Sequence, residues 1–220
     1  MNKQTLFKII VDTISICFLI LFPHFVPLPF YSYAVVCFLF ILVFLKREGS
    51  KLSDIGLKPK GIRLGTIIAG ICTGLFWIAF MQWLYIPFIM HFFKSYVKSY
   101  TEYDFIRNHL SNLLITIAAS WVIAGFYEEI VFRGFIQTII QRWMKERKYS
   151  FWVSGIATSV LFGLYHIQQG VFGVIPAMLG GLYWTAMLKY FRGNLWYVII
   201  SHAVYDTAAL IMIYSGVFGK

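Results

Sequence analysis

Long apolar runs separated by short polar segments make up most of this chain. The runs lie at about residues 6–22, 30–45, 64–92, 111–141, 151–167, 171–188 and 195–216. A membrane-spanning helix needs about 20 mostly apolar residues. The pattern therefore predicts an all-α polytopic membrane helix bundle with about seven spans, in a range from six to eight. The range is open because the runs 64–92 and 111–141 exceed one span, and the former contains Pro87 as a candidate break.

The polar segments between the runs alternate between basic and non-basic. The basic ones are 46–63, 142–148 and 189–192, and the neutral or nearly balanced ones are 23–29, 93–110 and 167–170. Cytoplasmic loops of membrane proteins carry an excess of lysine and arginine, so the alternation predicts a cytoplasmic N-terminus and an external C-terminus. The expected location is the cell membrane, with the lipid bilayer as the surroundings.

Composition supports a lipid-embedded protein and argues against other classes. Hydrophobic residues make up 60% of the 220 residues and charged residues only 13%, whereas soluble domains are about half apolar and a quarter charged. The net charge of +10 does not indicate a nucleic-acid partner, because the cations cluster beside the apolar runs. The three cysteines lack metal-type spacing, so neither a disulfide framework nor a cysteine zinc site is predicted.

Six ionisable residues interrupt the apolar runs of the C-terminal half. They are Glu128, Glu129, Arg133, His166, His202 and Asp206. A carboxylate at the centre of a membrane helix costs about 2.5–3.5 kcal/mol even on insertion scales, so residues of this kind mark functional sites by default. Asp12 stands apart in the first run, where its spacing predicts an i,i+4 pair with Lys8.

Helical spacing predicts different roles for the two adjacent glutamates. Glu129 and Arg133 are four residues apart, so they share a helix face and can pair. Glu128 is rotated by about 100° from its neighbour and can face a different partner. The pair therefore divides into a structural carboxylate and one that is available for chemistry.

The histidines follow the same spacing rule. His202 and Asp206 are four residues apart, and Phe162 precedes His166 by the same interval and is expected to wall one side of a pocket. Two histidines with a glutamate and an aspartate form a hydrolase-like set. A buried carboxylate can take a proton from water while a neighbouring imidazole positions that water.

Three short motifs contain these residues in order. They are EEIVFR at 128–133, FGLYH at 162–166 and HAVYD at 202–206. They resemble the motifs EExxxR, FxxxH and HxxxN/D of the CPBP family, the CAAX-protease and bacteriocin-processing membrane proteins also called the Abi family. One motif alone would be weak, but all three occur in order within apolar runs.

The resemblance implies an intramembrane endopeptidase of the glutamate type, which cleaves a membrane-associated peptide or protein. Glu128 would activate the water with the assistance of His166. His202 and Asp206 would hold the oxyanion side of the site. The supporting residues implied by the resemblance are Glu129, Arg133 and Phe162.

The family pattern also raises two questions about this chain. Asp206 stands where the best-studied members carry Asn, and an ionised Asp cannot donate a hydrogen bond to an oxyanion whereas a protonated one can. The family was formerly described as metalloproteases. The chain lacks HExxH, yet Glu128, His166 and His202 offer ligands to zinc. We expect metal-free chemistry with no cofactor, and zinc is the alternative.

The sequence also permits non-enzymatic interpretations. A buried ion-pair network would explain the two glutamates and Arg133, although one arginine does not neutralise two carboxylates. The competing function is a non-catalytic membrane immunity or scaffold protein, as in bacteriocin self-immunity, that binds a partner through the same pocket. A proton-coupled transporter would explain buried acids, but the chain shows no internal repeat.

The domain prediction follows from the uninterrupted apolar pattern. Residues 1–220 are expected to form one membrane domain, with N-terminal spans in 1–110 and a motif-bearing catalytic core in 111–216. No oligomeric state is predicted. The composition favours a bacterial source, so peptide processing is expected rather than cleavage of a prenylated protein.

Overall fold

The computed structural model describes residues 2–26, 28–93, 101–145 and 147–217. All regular structure within these residues is helical, which confirms the predicted all-α membrane bundle. The helices are α1 Lys3–Phe25, α2 Tyr33–Arg47, α3 Leu64–Phe80, α4 Ile86–Phe92, α5 Leu110–Ser120, α6 Gln137–Trp143, α7 Ser150–Tyr165, α8 Val171–Tyr190 and α9 Leu195–Tyr214. Single 3₁₀ turns are found at Pro29–Tyr31, Leu52–Ile55, Thr101–Ile106 and Ile167–Gln169.

Two of the continuous helical segments contain wider π-helical turns. Met81–Tyr85 joins α3 to α4, and the segments Trp121–Glu128 and Ile130–Ile136 join α5 to α6. The helix is not broken at Pro87, because the π turn directly before it adjusts the backbone that a proline would otherwise disrupt. The run that contains Glu128 and Arg133 is likewise continuous but not a regular α-helix.

The helical segments coincide with the predicted apolar runs. Within the described part of the chain, four segments are long and apolar enough to cross a membrane: 3–25, 64–92, 110–143 and 195–214. The helices α2, α7 and α8 are shorter or less apolar, so their crossing of the bilayer stays a prediction. The predicted loop at 93–110 lies partly outside the described residues.

Residue contacts divide the chain into two compact units. Unit 1 comprises residues 1–59 and 127–195, and unit 2 comprises residues 60–126 and 196–220. The prediction of one membrane domain with a catalytic core beginning at residue 111 is not tested by this division and stays a prediction.

In unit 1, small residues allow α7 and α8 to approach closely. A Cβ added to Gly163 would lie 2.9 Å from the carbonyl oxygen of Val174, and one added to Gly181 would lie 2.9 Å from the side chain of Ser159. Close approach through glycine and serine is a common way for membrane helices to pack. This contact fixes the position of α7, which ends at Tyr165, directly before His166.

Asp12 has a different partner from the one its spacing predicted. Lys8 forms an ion pair with Glu48 at 2.6 Å, and the buried Asp12 carboxylate accepts a hydrogen bond of 2.8 Å from the indole N–H of Trp143. The predicted Lys8–Asp12 pair is therefore wrong. The structural role of Asp12 is kept, because its hydrogen bond joins α1 to α6.

In unit 2, α9 packs on α3 at two glycines spaced as GxxxG. A Cβ on Gly70 would lie 2.6 Å from Ile200, and one on Gly74 would lie 2.5 Å from the carbonyl oxygen of Ser201. Gly125 meets the same helix, since its added Cβ would lie 2.8 Å from Ala203. These contacts hold the helix that carries His202.

Candidate active site

In unit 1, the structure brings together Glu128 and His166, which the sequence had assigned to catalysis. The Oε1 atom of Glu128 lies 4.0 Å from Nε2 of His166. Glu128 is buried at the end of the π-helical segment Trp121–Glu128, and the His166 side chain is 16% exposed directly after α7. The site is therefore sheltered but still has a small opening beside the imidazole.

The other nitrogen of His166 determines the state of its ring. The Nδ1 atom lies 2.8 Å from the carbonyl oxygen of Phe162. A carbonyl oxygen can only accept, so Nδ1 must carry the proton and donate it. In the neutral ring Nε2 then has a lone pair and faces Glu128 as an acceptor. With the ring neutral and the carboxylate ionised, Glu128 and His166 present two acceptors to the space between them.

Glu129 and Arg133 form the predicted i,i+4 ion pair. The Oε1 atom of Glu129 lies 3.3 Å from Nη1 of Arg133, and the two side chains are 0% and 1% exposed. This finding confirms the pairing that the spacing predicted. Burial of both groups makes the pair part of the core of unit 1.

Phe162 connects the ion pair with the imidazole. Its ring lies 4.1 Å from the Arg133 guanidinium carbon on one side, and it makes an edge contact of 4.6 Å with the ring of His166. Its carbonyl accepts the His166 Nδ1 proton. The spacing of the FxxxH motif is thereby explained, since one residue both stacks on the cation and orients the imidazole. Trp184 lies over the same guanidinium at 5.3 Å.

Tyrosines form a further part of the surroundings of Glu128. The Glu128 charge acts on the hydroxyls of both Tyr33 and Tyr165. The ring of Tyr165 contacts His166 at 5.4 Å, and the ring of His24 contacts Tyr165 at 4.7 Å. Aromatic side chains from α1, α2 and α7 therefore lie around the Glu128–His166 pair.

The third motif belongs to unit 2. The Nε2 atom of His202 lies 3.9 Å from Oδ2 of Asp206, on the same face of α9. His202 is 5% exposed, and the side chain of Asp206 is 23% exposed. Spacing predicted this pair, and the structure places the two side chains beside each other. Their role in the oxyanion site stays a prediction.

Several residues near the site were not found by sequence reasoning. Aromatic residues are frequent along the whole chain, and nothing in the spacing of Tyr33, Tyr165 and Trp184 distinguishes these three from the others. Gln137 does have a signal, because it lies four residues after Arg133 and continues the stripe that starts at Glu129. It is 2% exposed, and its amide lies near Gly155 of α7.

The metal-free chemistry expected from the sequence stays a prediction. Protein zinc sites use at least three ligands from the chain. Among the described residues, no three side chains of His, Cys, Asp or Glu are gathered closely enough to hold an ion. In unit 1, one of the two glutamates is already paired with Arg133.

Comparisons with known proteins agree with the motifs. Residues 110–208 match a family model described as type II CAAX prenyl endopeptidase Rce1-like. An uncharacterized protein from Mycoplasma capricolum subsp. capricolum is 28% identical over 109 residues, which are 49% of this chain and 30% of that protein. The chain thus spans less than a third of that relative, and no solved structure matches. With its apolar helices the chain is a multi-pass membrane protein, and the match of residues 110–208, which contain all three motifs, supports the CAAX-protease family, CPBP.

Proposed function

We propose that this protein is an intramembrane endopeptidase that hydrolyses a peptide bond through a water molecule activated by Glu128. The observation that carries the proposal is the pair of acceptors formed by Glu128 Oε1 and His166 Nε2, 4.0 Å apart. Protease activity is the general property of the family whose model residues 110–208 match, which supports the proposal. The use of a glutamate as the base is our own assignment.

The separation of the two acceptors suits a bridging water. Hydrogen bonds between oxygen and a water are about 2.7–2.8 Å long, so one water fits between atoms 4.0 Å apart and can donate one proton to each. With Glu128 ionised and the ring neutral, both facing atoms are acceptors, so a water donor is needed to join them. The oxygen of such a water would point its lone pair away from the pair, toward an incoming carbonyl carbon.

The reaction then follows general acid–base chemistry. As the water oxygen attacks the carbonyl carbon, Glu128 takes one of its protons and the carbonyl oxygen becomes an oxyanion. Glu128 next delivers that proton to the amide nitrogen, the C–N bond breaks, and a carboxylic acid and an amine leave. His166 holds the second proton of the water by accepting its hydrogen bond, and Phe162 keeps the ring in that orientation.

We assign oxyanion stabilisation to His202, with Asp206 as its orienting partner. In its doubly protonated form His202 donates from both ring nitrogens, so Nε2, which lies 3.9 Å from Oδ2 of Asp206, would face the carboxylate while Nδ1 donates to the oxyanion. Asp206 would then act through His202 and would not itself need to donate a hydrogen bond. This assignment removes the difficulty that an ionised Asp cannot replace the Asn of the family motif.

The proposed substrate is a peptide or protein associated with the membrane. The family resemblance favours peptide processing, as in bacteriocin self-immunity or maturation of a peptide signal. The N-terminus is proposed to be cytoplasmic, on the basis of the basic loops. Water activation is proposed to need no metal.

The test compares peptide ends in membranes of cells that express the wild type, Glu128→Gln or Glu48→Gln at equal abundance. Glu48→Gln is the matched control, because this glutamate pairs with Lys8 and lies outside the site. Mass spectrometry of the membrane peptides should find new ends with the wild type and the control. Removal of a general base typically lowers a rate about 10²–10⁴-fold, so these ends should be lost with Glu128→Gln.

Two outcomes would contradict the proposal. If Glu128→Gln produced the same peptide ends as the wild type, Glu128 would not be the base. If the wild type produced no new ends but protected cells from a bacteriocin, and Glu128→Gln protected them equally, the non-catalytic immunity function would be favoured. A peptide identified in the first experiment can then be assayed with purified protein in lipid vesicles.

A further inference from the structure

A polar pocket lies in unit 1, apart from the Glu128–His166 pair. Its volume is about 510 Å³, which is within the usual range of ligand pockets. We call it the basic pocket. Its walls are the turn at Asp54–Gly56, the start of α6, Phe151 and the end of α8 with the turn that follows. These elements carry or adjoin the three basic loops of the sequence.

Two buried polar side chains form the inner surface of the basic pocket. Arg133 is 1% exposed and Gln137 is 2% exposed, and both line the cavity. Within the described residues, the Nη2 atom of Arg133 and both amide atoms of Gln137 have no hydrogen-bond partner. A buried polar group without a partner costs about 1–3 kcal/mol. These atoms therefore indicate that the pocket holds a polar ligand.

The rim of the basic pocket is positively charged. Lys189 and Arg192 are exposed at the end of α8, and neither forms an ion pair with a described acid. Asp54 is the acid on the rim, and its carboxylate already accepts hydrogen bonds from the backbone N–H of Lys51 and from the hydroxyl of Ser53. The pocket thus offers two guanidinium groups, an ammonium and an amide to an anion.

The walls are held in place without a ligand. The backbone N–H of Leu195 donates to the carbonyl oxygen of Gly56 at 3.0 Å. A Cβ added to Gly56 would lie only 2.7 Å from the carbonyl oxygen of Gly193, so the two turns pack in direct backbone contact. Both glycines have positive φ values, 95° and 72°. These two walls of the pocket are therefore held together by the fold itself.

We propose that the basic pocket binds the phosphate of an anionic lipid headgroup. Guanidinium groups form paired hydrogen bonds with phosphate oxygens, and a lysine adds a point charge. The walls come from helix ends beside basic loops, which is the depth at which headgroups lie. Basic pockets between helices on the cytoplasmic side are a known way to bind anionic headgroups. Inorganic phosphate has the same chemistry, and the test separates the two sources.

The proposal does not depend on proteolysis by Glu128. Purified wild type in a neutral detergent is titrated with phosphatidylglycerol, phosphatidylcholine or inorganic phosphate. Native mass spectrometry counts the bound molecules, and the thermal unfolding midpoint reports binding independently. We expect phosphatidylglycerol to bind and raise the midpoint at concentrations where the other two have no effect.

A double variant and a matched double control locate the binding. The variant K189Q/R192Q removes two rim cations, and K60Q/K148Q removes two exposed cations of basic loops outside the pocket. Loss of charged hydrogen bonds should weaken phosphatidylglycerol binding at least about tenfold in the first variant and leave the second unchanged. Equal weakening in both variants, or none in the first, would overturn the proposal. Binding of inorganic phosphate alone would overturn the assignment to a lipid.

Gln137→Leu distinguishes a ligand contact from a structural role. Leucine has a similar size and removes the unpartnered amide, so the lipid-free protein should unfold at the same temperature as the wild type or higher. Its affinity for phosphatidylglycerol should still fall. A lower midpoint without lipid, together with unchanged lipid affinity, would show that Gln137 stabilises the fold and does not contact the headgroup.

Discussion

Replacing Arg133 by leucine leaves the fully buried Glu129 without its cation. Unit charges 3.3 Å apart attract by about 5 kcal/mol at the effective dielectric constant of about 20 that suits protein sites. Removal of one partner from a buried pair costs about 3–5 kcal/mol. Arg133→Leu should therefore lower the free energy of unfolding by about that amount, measured by reversible unfolding in mixed micelles.

The double variant E129L/R133L tests whether this cost comes from the lone charge. With both charges replaced by apolar side chains, the desolvation cost disappears, and such replacements are often neutral. The contacts of the guanidinium with Phe162 and Trp184 are lost, which accounts for about 0.5–2 kcal/mol each at most. The double variant should thus be more stable than Arg133→Leu alone.

An exposed arginine provides the control for this experiment. Arg47→Leu removes a cation of the same size outside both sites without uncovering a buried acid, and it should change stability by no more than about 0.5 kcal/mol. If E129L/R133L were as unstable as Arg133→Leu, the buried pair would not be the source of the cost. If both single and double variants were as stable as the wild type, Glu129 and Arg133 would not brace the site.

Three further predictions test the packing and the topology. In unfolding measurements, Gly163→Leu should destabilise the protein by about 1–3 kcal/mol, because its side chain would collide with α8. Gly65→Ala should not destabilise it, because the added Cβ meets nothing within 4 Å. Trp143→Phe should cost about 1–3 kcal/mol by leaving the Asp12 carboxylate without its donor, and the further change Asp12→Leu should recover stability. A reporter fused to the N-terminus should be active in the cytoplasm and one fused to the C-terminus outside it, as seven crossings require, and activity of both on one side would contradict that topology.

The helices could be predicted from the sequence because each apolar run is long enough to specify one. Their finer geometry could not. The π-helical turns around Glu128 depend on the packing of side chains from distant segments, and no local pattern distinguishes Trp121–Glu128 from an α-helix. Predicted runs therefore agree with the structure in position, while the backbone that presents the glutamates is wider than the spacing rule assumed.

An ion pair between residues four apart on one helix could be predicted only where no residue from another part of the chain offered either partner a different contact. Glu129 and Arg133 pair as their spacing predicts, because both are buried in the core of unit 1. Lys8 lies on an exposed surface and reaches Glu48, 40 positions along the chain, instead of Asp12. A contact between residues so far apart in the sequence cannot be predicted from local spacing. For the same reason, the aromatic side chains around Glu128 could not have been named from the sequence.

The structure gives a physical reason why adjacent glutamates can have separate roles. Glu129 is 0% exposed and lies beside a guanidinium that stays charged, so a neutral Glu129 would leave a buried cation uncompensated. Glu128 faces an imidazole whose near nitrogen is an acceptor in the neutral ring, so it can gain and lose a proton without leaving a fixed charge unpaired there. A general base must change its protonation state twice in each cycle, and this difference supports the proposal that Glu128, and not Glu129, is the base. Phe162 keeps both environments in place, because it contacts the cation with its ring and the imidazole with its carbonyl oxygen.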